Sequence, residues 1–229
     1  MKPILFNTEM VQAIMEGRKT VTRRLIKPRY KPKEMGIQIV TNAHTGKLER
    51  IEFLDEYGRE TRCMAWPFFW GDIFYVRETW AEMPYGYVYK ADGEEPEGWD
   101  SSDRWHPSIH MPKEAARLFL RVTDVRVERL QKLTEAQALA EGVPNEWPMP
   151  AVYCPYCKGE GLIEMLDSMT LGVTETDCPF CEDAIRRFAN LWNSTIRTVD
   201  LHQYSFEANP WVWVIEFERC EKPEGADVQ

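Results

Sequence analysis

The chain has 229 residues with 28 Lys and Arg against 37 Asp and Glu, a formal net charge of −9, and 44% hydrophobic residues. That composition excludes a disordered or fibrous chain, and its length suits one main domain with a small appendage. The acidic balance disfavours non-specific coating of nucleic acid, and no apolar run reaches the ~18 residues of a membrane span. Met1–Phe6 is too short for a signal peptide, so a cytoplasmic protein is expected, with no membrane partner.

In chain order, Asn7 or Thr8 caps a short helix with Met10, Val11, Ile14 and Met15 on its apolar face and Gly17 as its stop. A basic turn, Arg18–Arg24, follows, and Pro28 and Pro32 then impose extended chain. Ile37–Thr41 and Leu48–Leu54 read as a hairpin around 42–46. Gly71–Val76 and Tyr85–Tyr89 are strands by their β-branched and aromatic content. Asp92–Pro107 reads as a polar surface loop, and Leu118–Leu130 as a long alternating strand. Thr134 and Gln137 form a capping box for a two-turn helix stopped by Gly142. Asp183 caps a helix carrying Ile185, Phe188, Trp192 and Ile196, and Trp211–Arg219 is a final strand. The expected fold is α+β: a small, mostly antiparallel barrel with short flanking helices, formed by residues 1–143 and 183–220. Residues 144–182 read as an inserted segment and 221–229 as a flexible tail.

Four of the six cysteines form Cys154-Pro-Tyr-Cys157 and Cys178-Pro-Phe-Cys181. Two Cys-x2-Cys knuckles twenty residues apart present four thiolates to one ion, and tetrahedral zinc is the expected occupant. With every position filled by protein, such a site is structural. It would stabilise a flap that has little core of its own. Cys63 and Cys220 read as plain thiols.

Charge is unevenly spread. Residues 1–33 hold nine basic and two acidic side chains, a charge of +7 that leaves −16 for the other 196 residues. One reading is a solvated basic turn. The other is a local anion site in which Arg18, Arg23 and Arg24 depress the proton affinity of Lys19. A lysine so depressed can take a proton from a nearby threonine hydroxyl. Glu141 lies in a helix's last turn, where the helix dipole disfavours a carboxylate, a setting that suits a proton donor or an ordinary exposed glutamate.

The runs Ile14-Met-Glu-Gly-Arg-Lys-Thr-Val-Thr-Arg23, Gly71-Asp72, Leu133–Val143 and Val212–Phe217 together resemble the ASCH domain, a PUA-like β-barrel family linked to RNA and nucleotide chemistry. Gly71–Trp80, Trp105–Pro112 and Asn209–Trp213 are similar to its longer, phage and prophage branch. Small bacterial N4-acetylcytidine amidohydrolases are among its relatives. The resemblance implies Lys19 as proton acceptor, Thr22 as nucleophile and Glu141 as proton donor; from the basic turn itself, Arg18, Arg23 and Arg24 are the expected substrate contacts. The expected ligand is a nucleoside or RNA. The competing expectation is a nucleic-acid-binding or ribonuclease module without amidohydrolase activity, in which Lys27 joins the basic residues on phosphate and Trp66, Trp80 or Trp99 stacks on bases.

Overall fold

The computed structural model describes residues 1–26, 36–41, 48–65, 67–145, 154–158, 160–166 and 173–223. The expected turn at 42–46, Lys27 and Trp66 lie outside them. Among the described residues, twelve strands and four α-helices follow in order: β1 (Lys2–Leu5), α1 (Thr8–Met15), β2 (Val21–Leu25), β3 (Gly36–Thr41), β4 (Leu48–Leu54), β5 (Glu60–Ala65), β6 (Ile73–Arg77), β7 (Trp80–Met83), β8 (Gly86–Tyr89), β9 (Phe119–Arg129), α2 (Glu135–Ala140), β10 (Leu162–Leu166), β11 (Val173–Asp177), α3 (Ala184–Thr195), α4 (Leu201–Tyr204) and β12 (Trp211–Cys220).

The principal sheet runs β1-β6-β9-β12-β2. Only its β1–β6 pair is parallel, so the mostly antiparallel α+β reading holds. The expected barrel is not closed among the described residues. The edge strands β1 and β2 do not pair, and the Arg24 guanidinium donates across to the Leu5 carbonyl at 2.7 Å. A gap of about 210 Å³ between these edges, lined by Pro3, Leu5, Phe74 and Ile215, separates their backbones.

The long β9–β12 pairing carries one bulge. Glu216 faces Asp124 but Phe217 faces Val122, so Thr123 is the extra residue. It resets the period-two alternation. Leu120 and Val122 therefore point inward before it and Val125 after it, where an uninterrupted strand would turn one set outward. The meander β3-β4-β5 contributes Ile51 and Phe53, both fully buried, to the same core as Val11, Ile14, Phe188 and Trp192. A second cluster around Trp80, Met111 and Phe119 sits under the β7–β8 hairpin. Beside it, buried Glu78 takes a two-pronged bond from Arg117 at 3.0 Å on each oxygen, the pairing a dry carboxylate requires.

The 92–107 loop is fastened rather than loose. Trp99 stacks on Trp105 at 4.6 Å, and the His106 and Trp80 backbones exchange two hydrogen bonds. Asn7, Thr134 and Asp183 cap α1, α2 and α3 as their side-chain chemistry dictates. On α3, however, Arg187 and Leu191 are buried along with Phe188 and Trp192, a wider face than the apolar spacing indicates.

Gly142 ends α2 at φ +88°. A Cβ there would lie 2.8 Å from the Ala13 Cβ and 3.0 Å from the Lys19 Cβ, so the end of α2 meets the end of α1 across a hydrogen-sized gap. Gly142→Ala combines left-handed strain with overpacking and should cost about 2–4 kcal/mol in chemical denaturation. A loss under about 1 kcal/mol would contradict this close approach.

Candidate functional site

Three chain segments meet at Lys19. Gly17, at φ +77°, turns the chain out of α1. The Lys19 N–H then bonds the Ala13 carbonyl and the Thr20 N–H bonds the Ala140 carbonyl, each at 2.9 Å. The Thr20 carbonyl in turn accepts from the Phe217 N–H of β12 at 2.9 Å. What reads as a basic turn is thus a bridge between α1 and α2 that continues into edge strand β2.

That bridge buries Lys19 at 3% exposure. Its ammonium donates to the Val21 carbonyl at 2.8 Å, the Glu141 carbonyl at 2.7 Å and the Glu141 carboxylate Oε2 at 2.8 Å. Glu141 is the C-cap of α2 and is likewise buried. An acid at a helix's negative end is unfavourable alone, but here one lysine answers both the carboxylate and a terminal carbonyl. The other carboxylate oxygen, Oε1, accepts from Arg23 Nη1 at 3.1 Å. Arg23 Nη2 reaches the Gln137 amide oxygen at 3.0 Å, and that oxygen also takes the Thr134 N–H of the capping box. Burial is the largest influence on Lys19 and holds its proton affinity below that of an ordinary lysine; Glu141 opposes the shift, and Arg24 and Arg23 reinforce it.

Lys19, Thr22, Arg23, Arg24 and Glu141 all line one cavity of about 240 Å³. Thr22 is buried on β2, opposite Ile215. The three protons of Lys19 go to the acceptors above, so the resting lysine is not bonded to Thr22. The Arg24 guanidinium lies 5.1 Å from the centre of the Phe6 ring. Arg18 stays outside: its exposed guanidinium bonds Glu16 at 2.6 Å and the Gly142 carbonyl at 3.0 Å. The opposite wall is apolar, from Phe6 and Met10 to Phe188, Leu191 and Trp192 of α3. Trp192 is oriented by an indole hydrogen bond to the Tyr204 carbonyl at 2.7 Å. The α3 wall reads from sequence only as a core face, and Gln137 only as a cap, because the partner each meets here lies far along the chain.

The cysteine quartet comes together as its spacing requires. The four Sγ atoms are buried and lie within 4.8 Å of one another. Cys154–Cys178 and Cys157–Cys181 are each 3.6 Å apart. A tetrahedral ion with metal–sulfur bonds of about 2.3 Å needs sulfurs about 3.8 Å apart, so the residues fit a metal. Burial and the neighbouring thiols push Cys181 well above an ordinary cysteine, and burial raises Cys154; a divalent cation among them would reverse both shifts. The Gly161 N–H approaches the Cys157 sulfur at 3.4 Å.

Both centres share α3. Its buried Arg187 donates to the Cys181 carbonyl at 3.2 Å and the Glu182 carbonyl at 3.3 Å, and Asn190 bonds the Phe180 carbonyl at 2.9 Å. Glu135 of α2 accepts the Ala184 N–H at 2.8 Å, tying the start of α3 to the helix that ends in Glu141.

No protein-family model, curated relative or solved structure matches the chain. The chemistry of the two centres therefore carries the functional argument. Under native conditions a thiol reagent should label exposed Cys63 at once and half-buried Cys220 more slowly. The quartet should become reactive only after a chelator is added. A chelator that leaves thiol reactivity unchanged would rule out a bound metal.

Proposed function

We propose that the chain is a hydrolase of the ASCH, PUA-like type that removes an acyl group from the exocyclic N4 amine of an acetylated cytidine. The observation that carries the reading is that Lys19, Thr22 and Glu141 line one cavity, although Lys19 and Glu141 are 122 residues apart in sequence. A volume of about 240 Å³ is below the roughly 300–1,000 Å³ of drug-sized clefts, which suits one nucleobase better than a polymer. The base packs against Phe188 and Trp192, and its acyl group points to the polar wall.

The chemistry starts with a proton shift. Lys19 passes a proton along its 2.8 Å bond to Glu141, leaving a neutral amine beside a carboxylic acid. Such a pair is favoured in a dry pocket because no charge remains to be solvated. The Thr22 hydroxyl then attacks the acyl carbon and its proton goes to Lys19. Arg24 offsets the charge on the developing oxyanion. Collapse breaks the C–N bond and Glu141 protonates the departing amine; Lys19 then returns its proton to Glu141 and, neutral again, takes a proton from the water that attacks the threonine ester, passing it to the Thr22 oxygen as that C–O bond breaks. The products are cytidine and acetate.

The quartet's ion is zinc in this reading, and structural, since four thiolates leave no open position. A role as an RNA- or DNA-binding module is less well served. Trp80 is buried, Trp99 stacks on Trp105, and Lys19, Arg23 and Arg24 direct their N–H donors inward.

Incubation with N4-acetylcytidine should release acetate and cytidine. The rate should fall with rising pH as the Lys19–Glu141 pair loses its shared proton, with a midpoint below that of an ordinary lysine, because Glu141 then has no proton for the leaving amine and burial favours the neutral lysine. Thr22→Val, nearly isosteric, and Lys19→Ala should each lower turnover about 100-fold or more. Undiminished turnover in either variant overturns the mechanism.

A further inference from the structure

Arg23 is an expensive residue for its position. Its side chain is 1% exposed, and its Nε, among the described residues, has no hydrogen-bond partner. An unpaired buried donor costs about 1–3 kcal/mol, a cost that the bonds its Nη atoms make must offset. The groups it does meet define another role. Nη1 holds Glu141 Oε1, and Nη2 holds Gln137 at 3.0 Å with the Glu128 carboxylate of β9 farther off at 3.9 Å. Gln137 is itself pinned by the α2 capping box. The guanidinium is therefore clamped from outside and presents one fixed N–H to the carboxylate that Lys19 shares.

We propose that Arg23 is a positioning residue that acts through Glu141: by occupying one carboxylate oxygen it orients the other toward Lys19 and leaves the lysine only part of the negative charge. Its bearing on catalysis rests on the hydrolase reading above; its bearing on Lys19 does not. The charged groups facing Lys19 are Glu141 from α2 and Arg23 and Arg24 from β2. Those facing Arg23 are Glu141 and, from β9, Glu128. The cavity residues of α1 and α3, namely Met10, Phe188, Leu191, Trp192 and Thr195, carry no ionisable group. Removing the charge of Arg23 takes away a repulsion and frees the Glu141 oxygen it occupied, leaving Arg24 as the other cation near the pair. Both effects stabilise the ammonium, so Lys19 then keeps its proton to higher pH.

The test is an NMR titration of Lys19 in protein labelled with ¹³C and ¹⁵N lysine, its signal assigned by loss in Lys19→Met. Arg23→Gln should raise the midpoint by roughly one pH unit relative to the parent. Arg23→Lys, which retains the charge but not the fork, should leave the midpoint at the parent value and lower kcat more than it changes KM. A folded Arg23→Gln protein with an unmoved Lys19 overturns the proposal. If Arg23→Gln does not fold, Gln137→Ala, which releases the guanidinium from its outer partner, decides: an upward shift of the Lys19 midpoint supports the role and an unmoved midpoint overturns it. With N4-acetylcytidine as probe, the falling limb of kcat/KM should move with the NMR midpoint. A moving midpoint in a protein that leaves N4-acetylcytidine intact upholds Arg23 and refutes the substrate.

Discussion

The ion pair between Lys19 and Glu141 is the constraint around which this molecule is arranged. Two charges taken out of water are tolerable only when every remaining donor and acceptor is answered. Here the answers come from β2 and the end of α2. The lysine satisfies two carbonyls as well as the carboxylate, and the carboxylate also accepts from Arg23. Such an arrangement requires the ends of the two helices to touch. That explains why a glycine stands at 142, where any side chain would strike Ala13 and Lys19.

From this junction the rest of the layout follows. β2 leaves it to pair with β12 as an edge of the principal sheet, and Arg24 spans the gap to β1 that no backbone pairing closes. α2 leads away toward the cysteine flap, and α3 returns from it. Arg187 and Asn190 bond the carbonyls of the second knuckle while Phe188 and Trp192 line the cavity, so a single helix joins the four-cysteine cluster to the cavity wall.

The basic N-terminal segment has a different meaning in three dimensions. A charge of +7 over 33 residues suggests a surface for phosphate. Of its cations in the described residues, Lys19 and Arg23 are counter-charges for one buried acid, Arg24 is a strut between sheet edges, and Arg18 closes on Glu16 and the end of α2. Among the described residues of this segment, Lys19, Arg23 and Arg24 thus line the cavity, while Arg18 and Lys2, which pairs with Asp72, stay exposed.

What the sequence determined by itself is whatever depends on neighbours within a few positions. The caps at Asn7, Thr134 and Asp183 act over three residues, Gly17 and Gly142 end helices by their own backbone freedom, and each Cys-x2-Cys knuckle is a local turn. The strands β9 and β12 were legible because side chains alternate with a period of two, and β6 and β8 because of their β-branched and aromatic content. Short β1, β7 and the flap hairpin β10–β11 carried too few alternating positions to stand out, and the bulge at Thr123 hides the change of phase in β9. Only the tertiary structure decided that the sheet's edges stay apart, that β1 runs parallel to β6, and that Lys19, Arg23 and Arg187 are buried rather than solvated. A cation's fate is set by an acceptor's position. For Lys19 that acceptor lies 122 residues away, beyond the reach of any local rule.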